Sequence, residues 1–201
     1  MAGAKPPLRI AIVALSLGLL LGCSHSPPTR FFTLDPITPM QPAKALSGPP
    51  LRIDHVSIPS VMDRPELVRE YAADQLKVDD FNHWGAPLGD LMRTTLVEDL
   101  TARLASGRVL PVGTPIPRGG ADLTVEVAAI HEGAGSLVAD IDWTLSQSQA
   151  GAATAPSIIR TIRHERIEAA LNSGSQQAFA AALSQVMGAL ADRIVAALPA
   201  S

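Results

Sequence analysis

The chain is short of several things that usually betray a function. It has a single cysteine, Cys23, which excludes an intrachain disulfide and any zinc site built on several thiolates. It has no surplus of positive charge: Lys+Arg is 16 against Asp+Glu 19, for a net charge of −3. The electrostatic footprint of a nucleic-acid binder is therefore missing. Its only long apolar run, Ile10–Leu21, has 12 residues, too few to cross about 30 Å of hydrocarbon as a helix, which excludes a polytopic membrane protein. Aromatic residues make up only 3%, so Ala, Leu, Ile and Val must supply the core. The hydrophobic share of 47% is ample for one, and wholesale disorder is excluded. At 201 residues one compact domain is the expectation.

What is present begins at the N-terminus. Lys5 and Arg9 form a positive region, Ile10–Leu21 an apolar one, and Gly22 a small residue at its end. This reads as a secretory signal peptide, residues 1–22, to be excluded from the fold. The alternative is an ordinary signal with an accidental or structural cysteine after it. Leu20-Leu21-Gly22-Cys23 resembles the bacterial lipobox, which implies cleavage before Cys23, diacylation of its thiol and acylation of its amine. Each buried methylene contributes about 0.8 kcal/mol, and two or more chains anchor stably where one does not. Ser24 stands where an Asp would resemble an inner-membrane retention signal, so the expected destination is the outer membrane. Losing the leader removes two positive charges and no negative ones. Charge therefore does not hold the protein to anionic lipid, and attachment falls to the acyl chains.

Residues 23–30 read as a lipidated tether and 31–201 as one α+β domain. Seven prolines between Pro27 and Pro50 forbid a continuous helix or central strand there. Arg30–Leu34 interrupts them as a strand, followed by a semi-rigid loop over 36–50. Leu51–Ile58 predicts a strand, Val61–Pro65 a turn, and Leu67–Tyr71 and Gln75–Phe81 two strands joined at Ala73-Asp74. Leu88, Met92, Leu96, Leu100 and Leu104 recur every four residues and predict a helix over Pro87–Ser106, with Asp90, Arg93, Glu98, Asp99 and Arg103 mostly on other faces. Val109–Val112 has the composition of a short strand. Asp122–His131, Leu137–Leu145 and Ile158–Glu168 predict an antiparallel meander, with a turn at Gly133–Gly135 and a loop over Gln147–Pro156. Phe179, Leu183, Val186, Leu190, Ile194 and Leu198 predict a second helix over Ser175–Leu198. The expected fold is α+β: a largely antiparallel sheet with two packed helices.

Catalytic patterns are hard to find. His25, His55, His83, His131 and His164 include no pair at zinc-protease spacing, and each reads as solvated or structural. There is no nucleophile elbow, phosphate loop or dinucleotide fingerprint. The paired acids Asp79-Asp80 and Asp140/Asp142 could suit acid–base work or a cation, but a solvated outer face fits them better. No catalytic residue, cofactor or metal is expected, and a hydrolase of unrecognised geometry is the weakest reading.

Three stretches are more specific. Arg30-Phe31-Phe32-Thr33-Leu34 resembles the opening of the PqiC/YmbA lipoproteins. Ile58–Val68, with Asp63-Arg64-Pro65, resembles that family's Asp-Arg-Pro segment. Phe81–Leu104, with Asn82-His83-Trp84 and Pro87-Leu88, is similar to its Trp-containing turn and Leu-rich helix. His83 and Ala86 stand where the family usually has Arg and an acid, so no charge-based role passes to His83. The resemblance implies a fold similar to the TolB amino-terminal domain. It also implies an outer-membrane auxiliary lipoprotein of an MCE-type phospholipid transport system, docking a PqiB-like MCE tube, as a ring-shaped oligomer. Arg64, Pro65 and Trp84 are the candidate partner-binding or architectural residues, because Arg and Trp commonly anchor interfaces. The competing expectation is a lipid- or small-ligand-binding lipoprotein working alone, which requires a large apolar pocket.

Overall fold

A computed structural model describes residues 27–39, 49–72, 74–148 and 158–198. The leader, Cys23 and most of the proline-rich loop lie outside them. The described chain forms β1 (Arg30–Phe32), β2 (Leu51–Ser57), β3 (Glu66–Ala72), β4 (Gln75–Trp84), α1 (Leu88–Arg103), β5 (Ala121–Glu132), β6 (Ser136–Ser148), β7 (Ile158–Ala170) and α2 (Gln176–Ala197).

The α+β class holds, but the strands make two sheets rather than one. A four-stranded sheet has the order β2-β5-β6-β7, and a three-stranded sheet the order β1-β4-β3. The β5-β6-β7 meander and the β3-β4 hairpin are antiparallel, as expected. Two pairings are parallel: β1 runs beside the end of β4, and β2 beside the start of β5. Alternation along a strand shows which face is buried and says nothing about which strand lies beside it.

The alternating sets sort as the sequence requires. Leu123, Val125 and Val127 on β5 and Ala139, Ile141 and Trp143 on β6 are buried, and the helices cover this face. The expected stripe on α1, Leu88 through Leu104, is wholly buried. Ser175 caps α2, its hydroxyl accepting from the Ala178 amide at 3.1 Å. By length and composition α2 could cross a membrane, yet here it is a core helix with Phe179, Leu183, Val186, Leu190 and Ile194 buried.

Several boundaries shift. β1 stops at Phe32, β4 continues to Trp84, and β6 runs to Ser148. Val109 makes only an isolated bridge to Leu51, because the chain there touches the edge of β2 at one point.

A larger correction concerns Asp99 and Arg103, which are buried rather than on an outer face, at 0% and 5% exposure. What covers them is the segment after β1, which lies across both helices. The Asp35 amide donates to Ser184 Oγ at 3.0 Å and the Ile37 amide to Asp99 Oδ1 at 2.8 Å. Arg103 donates to the Ile37 carbonyl at 3.1 Å. We call residues 33–39 the strap. It seats over Gly188, where an added Cβ would stand 2.7 Å from Ile37 Cβ. In a free helix Gly→Ala gains about 1 kcal/mol; here Gly188→Ala is expected to cost about 1–3 kcal/mol through overpacking. Urea unfolding checks the sign, and a stabilised variant would mean that the strap does not seat there.

Candidate functional site

The three sequence stretches that stood out converge at one end of the small sheet. Phe31 and Phe32 are in register with His83 and Trp84. The Gly85 amide donates to the Phe32 carbonyl, and the Trp84 amide to the Pro65 carbonyl, both at 2.7 Å. The Asp-Arg-Pro turn, the first strand and the entry to α1 are thus joined through main-chain bonds around Trp84.

Among the candidate residues, the structure separates buried from accessible ones. Trp84 is 4% exposed, its ring 6.4 Å from that of Phe179. Arg64 and Pro65 are exposed. Arg64 Nε donates to Glu66 Oε2 at 2.8 Å, and this bond, with the Glu66 backbone amide, holds the Glu66 carboxyl below its ordinary value. Cys23 lies outside the described residues. His83 has its Nε2 3.2 Å from the Asp80 carbonyl and its ring edge-on to Phe31 at 5.8 Å.

One hub escaped the sequence reading. Arg69 on β3 forms a two-pronged ion pair with Glu132 on β5, Nε lying 2.9 Å from Oε1. It also donates to the Gly174 carbonyl at 2.6 Å and to Gln176 at 3.3 Å, and its guanidinium lies 5.1 Å from the Phe179 ring centroid. A planar donor fork suits this junction, since it reaches both sheets and the start of α2 at once. The only sequence signal was a lone cation within the alternating stretch Leu67–Tyr71.

Asp79 stitches the same region. Its Oδ2 accepts from Gln176 at 2.7 Å and its Oδ1 from the Phe81 amide at 3.1 Å. Burial works to raise this carboxyl, but bonds from Asn82, Gln176 and the backbone amides of Phe81 and Asn82 outweigh it and leave it lowered. A lowered acid stabilises the fold above its unfolded value, and that contribution is lost as pH falls through the folded one. Asp79→Asn is accordingly expected to lose less stability than the parent between about pH 5 and pH 3. Urea midpoints at both pH values test this, and identical acid limbs would refute it.

The paired acids Asp140 and Asp142 are engaged on the sheet surface. Asp140 pairs with Arg166 at 3.1 Å and Asp142 with His164 at 2.8 Å, across β6 and β7. Among the described residues no group of three or more His, Cys, Asp or Glu could hold a metal ion. An apolar cleft between the sheets, lined by Val61, Met62, Val68, Leu76 and Ile130, encloses about 180 Å³. Drug-sized ligand sites take roughly 300–1,000 Å³.

Two solved structures share this architecture. One, an uncharacterised protein, is 19% identical with a TM-score of 0.64, covering 85% of this chain and 98% of its own. The other, from Xanthomonas campestris, is 17% identical with a TM-score of 0.60, covering 82% and 92%. They place the chain in a class of α+β proteins with this two-helix arrangement. A family model described as the ABC-type transport auxiliary lipoprotein component matches residues 32–195, and the chain belongs to that family. This is the family to which the Arg-Phe-Phe-Thr-Leu and Asp-Arg-Pro stretches pointed. No curated protein sequence matches the chain.

Proposed function

We propose that this protein is an outer-membrane-anchored, non-catalytic subunit of an MCE-type phospholipid transport system, docking the periplasmic end of a PqiB-like MCE tube. The observation that carries this reading is the family match over residues 32–195 to an auxiliary lipoprotein component, directly downstream of the lipobox-like Leu20–Cys23. The anchor at Cys23 holds the domain at the membrane, Ser24 favours the outer one, and the driving force for transport comes from partners. Within this reading Arg64 and Pro65 are the accessible part of the motif, and Trp84 is the buried pin that fixes them against β1. A ring of identical subunits around the tube mouth belongs to the same proposal.

The apolar cleft of about 180 Å³ is small for a phospholipid acyl pair, and a wider hollow of about 670 Å³ beside Phe31 and Gln176 is half polar. Affinity capture of the full chain from mildly solubilised envelope is expected to recover an MCE-domain protein. Intact, membrane-associated bait that brings down no MCE protein would overturn the docking role. Phospholipid co-purifying stoichiometrically with the bait alone would favour the stand-alone carrier.

A further inference from the structure

The chain has four phenylalanines, and two of them are on the surface of the small sheet. Phe31 is 68% exposed and Phe81 41% exposed. Phe81 lies two residues before His83 on β4, where the pairing with β3 is irregular. His83 is the residue that Phe31 meets edge-on, at 5.8 Å. A Phe left in water forgoes its burial, an unusual arrangement in a chain so poor in aromatics.

The position of this face relative to the anchor decides what covers it. Phe31 is eight steps along the chain from Cys23, and at up to about 3.6 Å per step they span no more than about 29 Å. The strap beyond β1 is bolted to Ser184, Asp99 and Arg103, so the tether ends there even if β1 leaves β4. The acyl chains thus keep this end of the protein next to the bilayer. Net negative charge rules out a general electrostatic hold. Arg30 is exposed but, one residue from Phe31 on β1, it points to the opposite face.

Building on the lipid-anchor reading of Cys23, we propose that this end of the β1–β4 sheet, through the exposed Phe31 and Phe81, seats on the phospholipid surface that holds the anchor. Aromatic side chains partition to the headgroup boundary. The contact would fix the orientation of the domain as well as its distance from the membrane.

The test uses full-length lipidated protein in vesicles of phosphatidylethanolamine and phosphatidylglycerol, with and without brominated acyl chains. Flotation reads the anchor, and quenching reads the seat. The native Trp84 and Trp143 are 4% and 2% exposed, so Phe31→Trp adds an accessible reporter and the parent provides the background. Phe81→Trp is a second reporter, and Ile162→Trp, at a position 65% exposed on the other sheet, is the reference. Bromine is expected to quench the added signal of Phe31→Trp and Phe81→Trp at least two-fold and to leave that of Ile162→Trp unchanged. Floating protein with unquenched reporters overturns the seat, and a blue shift without quenching assigns the face to a protein partner or a second copy. Equal quenching at Ile162→Trp removes the orientation. Failure to float removes the anchor and this proposal with it.

Discussion

Arg103→Ala is expected to lower the unfolding free energy by about 3–5 kcal/mol, the cost of stripping a buried charge of its partner. Asp99 is fully buried, and its Oδ1 receives Arg103 at 3.1 Å and the Ile37 amide at 2.8 Å. Its Oδ2 has no hydrogen-bond partner, so removing the guanidinium leaves one main-chain donor to satisfy an anion. The same substitution releases Asp192, which Arg103 Nε holds at 2.6 Å, and the Ile37 carbonyl. pH gives the prediction its sharper form. Burial pushes the Asp99 carboxyl up, more than the Ile37 amide and Arg103 pull it down. A raised acid favours the fold below its unfolded value, and that contribution is lost as pH rises through the folded one. Without Arg103 the neutral form gains further, so the deficit should be larger at about pH 7.5 than at about pH 5. Urea unfolding at both pH values measures it; a deficit under about 1 kcal/mol, or one independent of pH, would show that the pair is not buried as described. A double replacement by apolar residues of similar volume is expected to recover most of the loss.

The second large effect is at Cys23. If the thiol carries a diacylglyceryl group and the amine a third chain, each methylene contributes about 0.8 kcal/mol of insertion, and exchange with water is negligible. Cys23→Ser is expected to abolish palmitate incorporation completely. Residues 24–201 exported behind a conventional cleavable leader should no longer float with lipid vesicles, since a net negative domain has no electrostatic substitute for the lipid. Metabolic labelling and flotation check both outcomes. A parent protein that takes up no palmitate would end the anchoring reading.

Local pattern made much of the fold legible. The fourfold recurrence from Leu88 to Leu104 and the stripe from Phe179 to Ile194 located both helices, and strict alternation oriented β5 and β6. The parallel partners of β1 and β2 were not legible, because they join segments about 50 and 70 residues apart. Asp99 and Arg103 were placed on a solvated face for a related reason. At a spacing of four they look like an ordinary surface pair, and only the strap, more than sixty residues away in sequence, takes them out of water. Arg69 was passed over because its partners, Glu132, Gly174 and Gln176, come from another sheet and the start of another helix. The motif residues were recognisable as a set; that Trp84 faces inward while Arg64 faces outward needed the packing.

The strap also governs how the domain answers mechanical tension. A pull on the chain ahead of β1 meets first the three rungs between β1 and β4, which could peel one at a time. Behind them the backbone is stapled to two helices at Asp35 and Ile37, so further extension requires those bonds to slide past one another together. The chain thus carries its own stop, set a few residues from the point where the load enters.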